Sequence, residues 1–153
     1  MTTQTITAVV RFLWTCFSVG ASIFFTGCQK HVTTDDLQGT WIPNKDSLRW
    51  VKVTNICIII LQTNGTFTGS VPDYLMKTSD QCSGQVMTGV GKWSLFTKPL
   101  QTFVKLNFTE VDGKQIFWGA NELEVQTGSG RTELFFYVGE EGGDRFVFVR
   151  PTK

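Results

Sequence analysis

The chain has 153 residues, with fourteen Lys and Arg against thirteen Asp and Glu and a single His, for a formal net charge of +1. That length predicts one domain with room for a substantial core. The charge balance excludes the basic stripe of a nucleic-acid binder and a polybasic membrane-binding surface.

Residues 1–27 read as a removable leader. One positive charge, Arg11, precedes an apolar run from Phe12 to Phe25, and the small residues Thr26 and Gly27 follow it. A charged start, an apolar middle and a small-residue cleavage zone make a secretory signal. A membrane-spanning helix fits poorly: the run reaches roughly 21 Å at about 1.5 Å per residue, against a hydrocarbon core of about 30 Å. Phe25-Thr26-Gly27-Cys28 resembles the lipobox of bacterial lipoproteins, with Phe25 where Leu is usual. The resemblance implies cleavage before Cys28, acylation of its thiol and attachment to a bacterial envelope membrane. Each buried methylene contributes about 0.8 kcal/mol, so the several chains of such an anchor hold stably where one would not. Gln29 in place of Asp implies the outer membrane, with the domain facing the periplasm.

Arg11 is the only charged residue of the leader, so residues 28–153 carry thirteen basic and thirteen acidic side chains and are formally neutral. Residues 28–36 are polar and aperiodic, a tether between lipid and domain. Residues 37–153 are the domain. Two cysteines remain once Cys16 leaves with the leader and Cys28 is acylated. An even pair in an exported chain points to a Cys57–Cys82 disulfide. Closing that loop would contribute roughly 3–3.5 kcal/mol. The alternative is two buried thiols, since Cys57 lies within the apolar run Ile56–Leu61.

From Leu37 onward, runs of Val, Ile, Phe, Trp and Thr are separated by Gly, Asn and Asp at short intervals. No window sustains a helical period between caps, so the domain is expected to be all-β. The first hairpin turns at Thr63-Asn64-Gly65, since Asn-Gly between apolar strands is a strong hairpin signal. A three-residue turn with Gly65 left-handed sets Phe67 opposite Leu61 and places Cys57, Ile59, Leu61 and Phe67 on the inner face. The segment 71–88 breaks the strand rhythm, with a helical turn expected at Leu75–Thr78. A connection of that length is either functional or a cover for an open barrel end. Pro72, Asp73 and Tyr74 are its expected exposed partner contact, because Tyr is favoured in interfaces.

A second hairpin turns at Asp112-Gly113, and further turns fall near 119–121, 128–130 and 140–144. Trp93 and Leu95 alternate with Lys92 and Ser94; Val104, Leu106 and Phe108 with Lys105 and Asn107; Leu123 and Val125 with Glu122 and Glu124; Phe146 and Phe148 close the series. Eight or nine short strands joined by tight turns predict an antiparallel up-and-down barrel, or a strongly curved sheet. The opening Leu37-Gln38-Gly39-Thr40-Trp41, the hairpin Asn64-Gly65-Thr66-Phe67, the strand Gly89-Val90-Gly91-Lys92-Trp93 and the aromatic pair of strands 134–138 and 145–150 together resemble small lipoproteins with a lipocalin-like barrel. The resemblance spans about residues 37–150. It implies that Trp41 on the first strand packs under Arg150 after the last, closing one barrel end.

Catalytic chemistry finds little footing. His31 lies in the tether, which leaves the domain without a histidine base. No nucleophile elbow and no phosphate loop appear, and Gly128-Ser129-Gly130 reads as a hairpin turn. Asp35-Asp36 and Glu140–Asp144 read as solvated charge, and two cysteines without a nearby histidine do not make a metal set. No cofactor is called for. Many large inward residues predict a filled barrel. The expected function is therefore that of a non-enzymatic, lipid-anchored envelope protein which binds a protein partner, in an inhibitory or neutralising role. The alternative is a carrier of a small apolar ligand, which needs a cavity of at least ~300 Å³.

Overall fold

A computed structural model describes residues 31–51, 57–76, 83–116, 120–128, 130–138 and 143–152. A short helix α1 (Thr34–Leu37) precedes nine strands: β1 (Gly39–Pro43), β2 (Ile58–Leu61), β3 (Thr66–Pro72), β4 (Val86–Lys98), β5 (Gln101–Val111), β6 (Lys114–Gln115), β7 (Ala120–Gly128), β8 (Arg131–Val138) and β9 (Asp144–Val149). Every pairing is antiparallel. Strands β1–β2–β3–β4–β5–β7–β8–β9 follow one another around the sheet, and β9 returns to β1. The result is a closed eight-stranded up-and-down barrel, consistent with the lipocalin-like type. Strand β6 is the ninth, a two-residue strand on the same edge of β5 as β7. Closure leaves the eight strands no free edge to pair with another chain.

The inner faces follow the expected period of two. Trp41, Ile59, Leu61, Phe67, Val104, Leu106, Leu123, Leu134, Phe146 and Phe148 are all at most 1% exposed. Phe67 pairs with Leu61, and Gly65 has a φ of 78°, so the first hairpin has the three-residue register expected of it. Asp112 and Gly113 take φ values of 47° and 75°, the two positive angles of a type I′ turn.

Three inward positions on β3 and β4 are glycines, and crowding requires them. A Cβ on Gly69 would come within 2.6 Å of the Ile58 carbonyl oxygen, and one on Gly89 within 2.6 Å of the Phe108 ring. One on Gly91 would overlap the Asn107 carbonyl. Phe67 and Phe108 lie directly across from Gly91 on its two sides, and their rings meet edge to face with centroids 4.9 Å apart. The glycines bend the sheet and clear the volume these two rings occupy. The Gly89-x-Gly91-x-Trp93 pattern is thus a packing device.

Val32 and Leu37 both belong to the core cluster, and the barrel unit begins at Val32. Thr33 caps α1: its hydroxyl accepts from the Asp36 backbone N–H, while the Asp36 carboxylate accepts from the Thr33 N–H at 2.9 Å. This is a capping box with Asp in the place where Glu or Gln usually signals it.

Candidate functional site

Successive connections alternate between the two barrel ends. One end gathers α1, the turns at 62–65 and 99–100, the facing ends of β7 and β8 at Gly128 and Arg131, and Arg150. At this closed end the Arg150 guanidinium carbon lies 4.9 Å from the Trp41 ring centroid. The same guanidinium donates to the carbonyl oxygens of Asp36 at 2.6 Å and Gln38 at 2.7 Å. The Trp41 indole donates to the Leu37 carbonyl at 2.8 Å. Gly39, at φ 115°, keeps the space for Arg150 open, since a Cβ there would stand 3.1 Å from the guanidinium. Trp93 repeats the device: its indole donates to the Gln62 carbonyl at 2.9 Å and its backbone N–H to the Gly65 carbonyl at 2.8 Å.

At the opposite end the β1–β2 connection is stitched to β9. Asn44 donates its N–H to the Val147 carbonyl at 2.9 Å, and the Val147 N–H donates to the buried Ser47 hydroxyl at 2.7 Å. A 3-10 turn (Ser47–Trp50) follows and brings Trp50 edge-on to Tyr74, with centroids 6.4 Å apart. The Trp50 indole N–H is buried there and makes no hydrogen bond. Leu75 is 5% exposed within the core cluster, and Tyr74 and Met76 pack against it. The described part of the 71–88 segment therefore covers this end.

Two expectations differ from the structure, one on that segment and one at Cys57. Pro72 and Asp73 are buried and Tyr74 is half-buried, so they do not form the expected exposed contact. Asp73 faces inward because its carboxylate accepts hydrogen bonds from the Ser83 N–H and hydroxyl, both at 2.8 Å, and from the Gly84 N–H at 3.0 Å. Its own N–H donates to the Gln85 carbonyl. Buried peptide N–H groups need acceptors, and a carboxylate supplies several lone pairs at one point. A 3-10 turn spans Asp73–Leu75, and Lys77 and Thr78 of the expected helical turn lie outside the described residues. The second correction concerns Cys57, which is a free thiol and not half of a disulfide. It sits in the apolar core, where burial pushes its pKa from 9.0 up to about 11. Cys82, Cys28 and the leader lie outside the described residues.

The inward side chains occupy the barrel interior, and two concavities lie on its outer wall. The more apolar one, about 280 Å³, runs along β3. Its origin is visible in two cross-strand rows, Ile60–Thr68–Val90 and Ile58–Ser70–Thr88. The short Thr and Ser side chains of β3 are recessed between the isoleucines of β2 and the Val90–Thr88 ridge of β4. Glu110 closes the first row, and the Asp112 carboxylate accepts from the Thr88 N–H and hydroxyl at 2.8 and 3.0 Å beside the second. Val90 is 38% exposed. The β2 run is unbroken apolar in sequence, and its alternation leaves Ile58 and Ile60 outward and Cys57, Ile59 and Leu61 inward, as the register of the first hairpin predicts. The other concavity, about 500 Å³, is polar and lined by Gln126, Arg131 and Glu133.

Of the expected site residues, the structure brings together Trp41 and Arg150, and Asp73 with its own loop. Among the described acidic residues, Asp144 pairs with Arg49 at 3.2 Å, and Asp35 accepts from the Gln38 side chain at 2.9 Å. Among the described residues no three His, Cys, Asp or Glu side chains converge as metal ligands, and no helix is long and apolar enough to cross a membrane. Comparisons with protein-family models, curated proteins and solved structures returned no match.

Proposed function

We propose that this protein is a non-enzymatic bacterial envelope lipoprotein, anchored through acylated Cys28, whose barrel binds a protein partner on its outer wall. The observation that carries the reading is the contrast between the two faces of the sheet. The inner face is filled by Trp41, Phe67, Phe146, Phe148 and the aliphatic residues between them. The outer face leaves Ile58, Ile60 and Val90 flanking a recess lined with hydroxyl groups. Apolar ridges with interleaved donors and acceptors suit an extended segment or loop of another protein. A lipid-anchored inhibitor or neutralising protein needs such a surface and no catalytic group. The lipobox-like Phe25–Cys28 supports the anchor and the compartment.

Two experiments test this. Intact-mass analysis of membrane-purified protein, wild type beside Cys28→Ala, is expected to show acylation of residue 28 and its loss in the variant; an unmodified chain retaining residues 1–27 would overturn the export reading. A photo-crosslinking amino acid at Ile60 or Val90, in cells, is expected to trap one protein that the same probe at the exposed Tyr137 does not. Equal adducts at all three positions would remove the outer wall from consideration. A small apolar molecule retained in native mass spectra would replace the reading with that of a carrier.

A further inference from the structure

At the closed end β4 runs on beyond Lys92, its last partner on β3, while β5 stays paired with β7 as far as Thr102. Strands β4 and β5 remain paired from Trp93↔Leu106 out to Lys98↔Gln101, and the loop between them is Pro99-Leu100. Leu100 is 89% exposed, the most exposed of the large apolar side chains among the described residues. It also holds a φ of 69°. Pro fixes its own φ near −65°, and the position after it in such a turn favours glycine when φ is positive. A bulky side chain at positive φ is an outlier that local folding does not account for. Glycine would serve the turn better, so the leucine side chain has another use.

The wall behind the tip is amphipathic. Phe96 and Phe103 pair directly across the hairpin and stack with centroids 5.4 Å apart, half-buried on the outer face. Lys98 lies over both rings, with Nζ 4.6 Å from the Phe103 centroid and 5.4 Å from that of Phe96, and pairs with Glu122 at 2.9 Å. The Lys98 charge thus rests on the ring faces and against Glu122, on the wall behind the tip.

The position of the chain start indicates what meets this tip. Helix α1 lies at the same end, fixed there by Arg150 and by the Trp41 indole. Val32, buried in the core, is four residues from Cys28. Those four residues span at most roughly 14 Å. An acylated Cys28 therefore holds the closed end against the lipid surface.

We infer that the Pro99-Leu100 tip is a membrane contact: Leu100 inserts into the lipid surface beside the acyl anchor and fixes the barrel with its closed end toward the bilayer. This rests on the lipid-anchor reading above. It leaves the opposite end, with Trp50 and Tyr74, facing away from the membrane.

The test uses the full acylated protein in vesicles of phosphatidylethanolamine and phosphatidylglycerol, with a fluorophore on Thr97→Cys beside the tip or on Lys114→Cys at the opposite end. The label background of the parent chain is subtracted. Lipids brominated in their acyl chains are expected to quench the label at position 97 at least twofold more than the label at 114. Leu100→Gly is expected to bring position 97 down to the level of 114 while leaving thermal stability equal or higher, since glycine relieves the positive φ. Equal quenching at 97 and 114 in protein that floats with the vesicles would overturn the inference alone. So would quenching at 97 that Leu100→Gly leaves unchanged. Protein without acyl mass that fails to float would overturn the anchor reading, and the inference with it.

Discussion

Arg150 concentrates several interactions in one exposed side chain: a ring face, two carbonyl oxygens and the space left by Gly39. Stacking a cation on an indole contributes about 0.5–2 kcal/mol, and a hydrogen bond to a charged group about 1.5–3 kcal/mol, both reduced where water competes. Arg150→Ala is therefore expected to lower the urea unfolding free energy by about 1–3 kcal/mol, and Arg150→Lys to recover only part, because an ammonium lacks the planar fork. Cys57 gives a second residue-scale expectation. Its thiol, raised from 9.0 to about 11 by burial, stays protonated at pH 8. It should react with alkylating reagents only at the rate of unfolding, and at full speed in urea. The linkage follows from the same shift. The unfolded chain deprotonates first, so the contribution of Cys57 to stability is complete below pH 9 and is lost as pH rises through 11. The loss is about 2–3 kcal/mol by that shift. A Cys57→Ser chain with an unchanged alkaline unfolding profile would contradict it.

At the scale of elements, glycines and turns set the shape. Gly91→Ala must push its methyl into the Asn107 carbonyl, a contact between backbones with no flexible group to yield. It is expected to cost more than about 3 kcal/mol or to prevent folding. Gly128→Ala, with open space around it, should stay within about 0.5 kcal/mol, and circular-dichroism melts of the two variants separate them. The Asp73 loop offers a graded comparison. Asp73→Ala removes the acceptor for three donors from Ser83 and Gly84 and leaves buried N–H groups without it, an expected loss of about 3 kcal/mol. Asp73→Asn keeps the shape and one acceptor oxygen and should lose less. A urea midpoint that moves equally in both variants would show that the carboxylate does not staple the loop. Only part of this was legible beforehand. The Asn64-Gly65 and Asp112-Gly113 turns follow from local φ requirements. The Pro99-Leu100 turn carries no glycine to announce it, and the Asp73 staple joins residues ten and eleven positions apart whose types promise only a loop.

For the whole molecule, closure is the governing fact. Joining β9 to β1 removes the sheet edges and divides every strand into an inside and an outside. That division sends Ile58 and Ile60 to the outer wall and buries Cys57 with Ile59. Phe135, at 1% exposed, lies on the outer side, outside the interior cluster, where the Arg145 guanidinium covers its ring at 4.4 Å. The same closure puts the start of the domain, the Arg150 clasp and the Leu100 tip at one end. The sequence by itself determined the all-β class, the strand alternation, the register of the first hairpin and the likeness to a lipoprotein leader. Each is a local property, carried by a period of two, by residues that tolerate positive φ, or by a short contiguous motif. Only the tertiary structure decided that the outward Ile58, Ile60 and Val90 flank a recess, why Gly69, Gly89 and Gly91 must be glycine, that Asp73 is buried and that Cys57 is unpaired. Those outcomes depend on neighbours ten or more positions away, brought together by strand pairing and by the 71–88 loop, and no short window contains both partners.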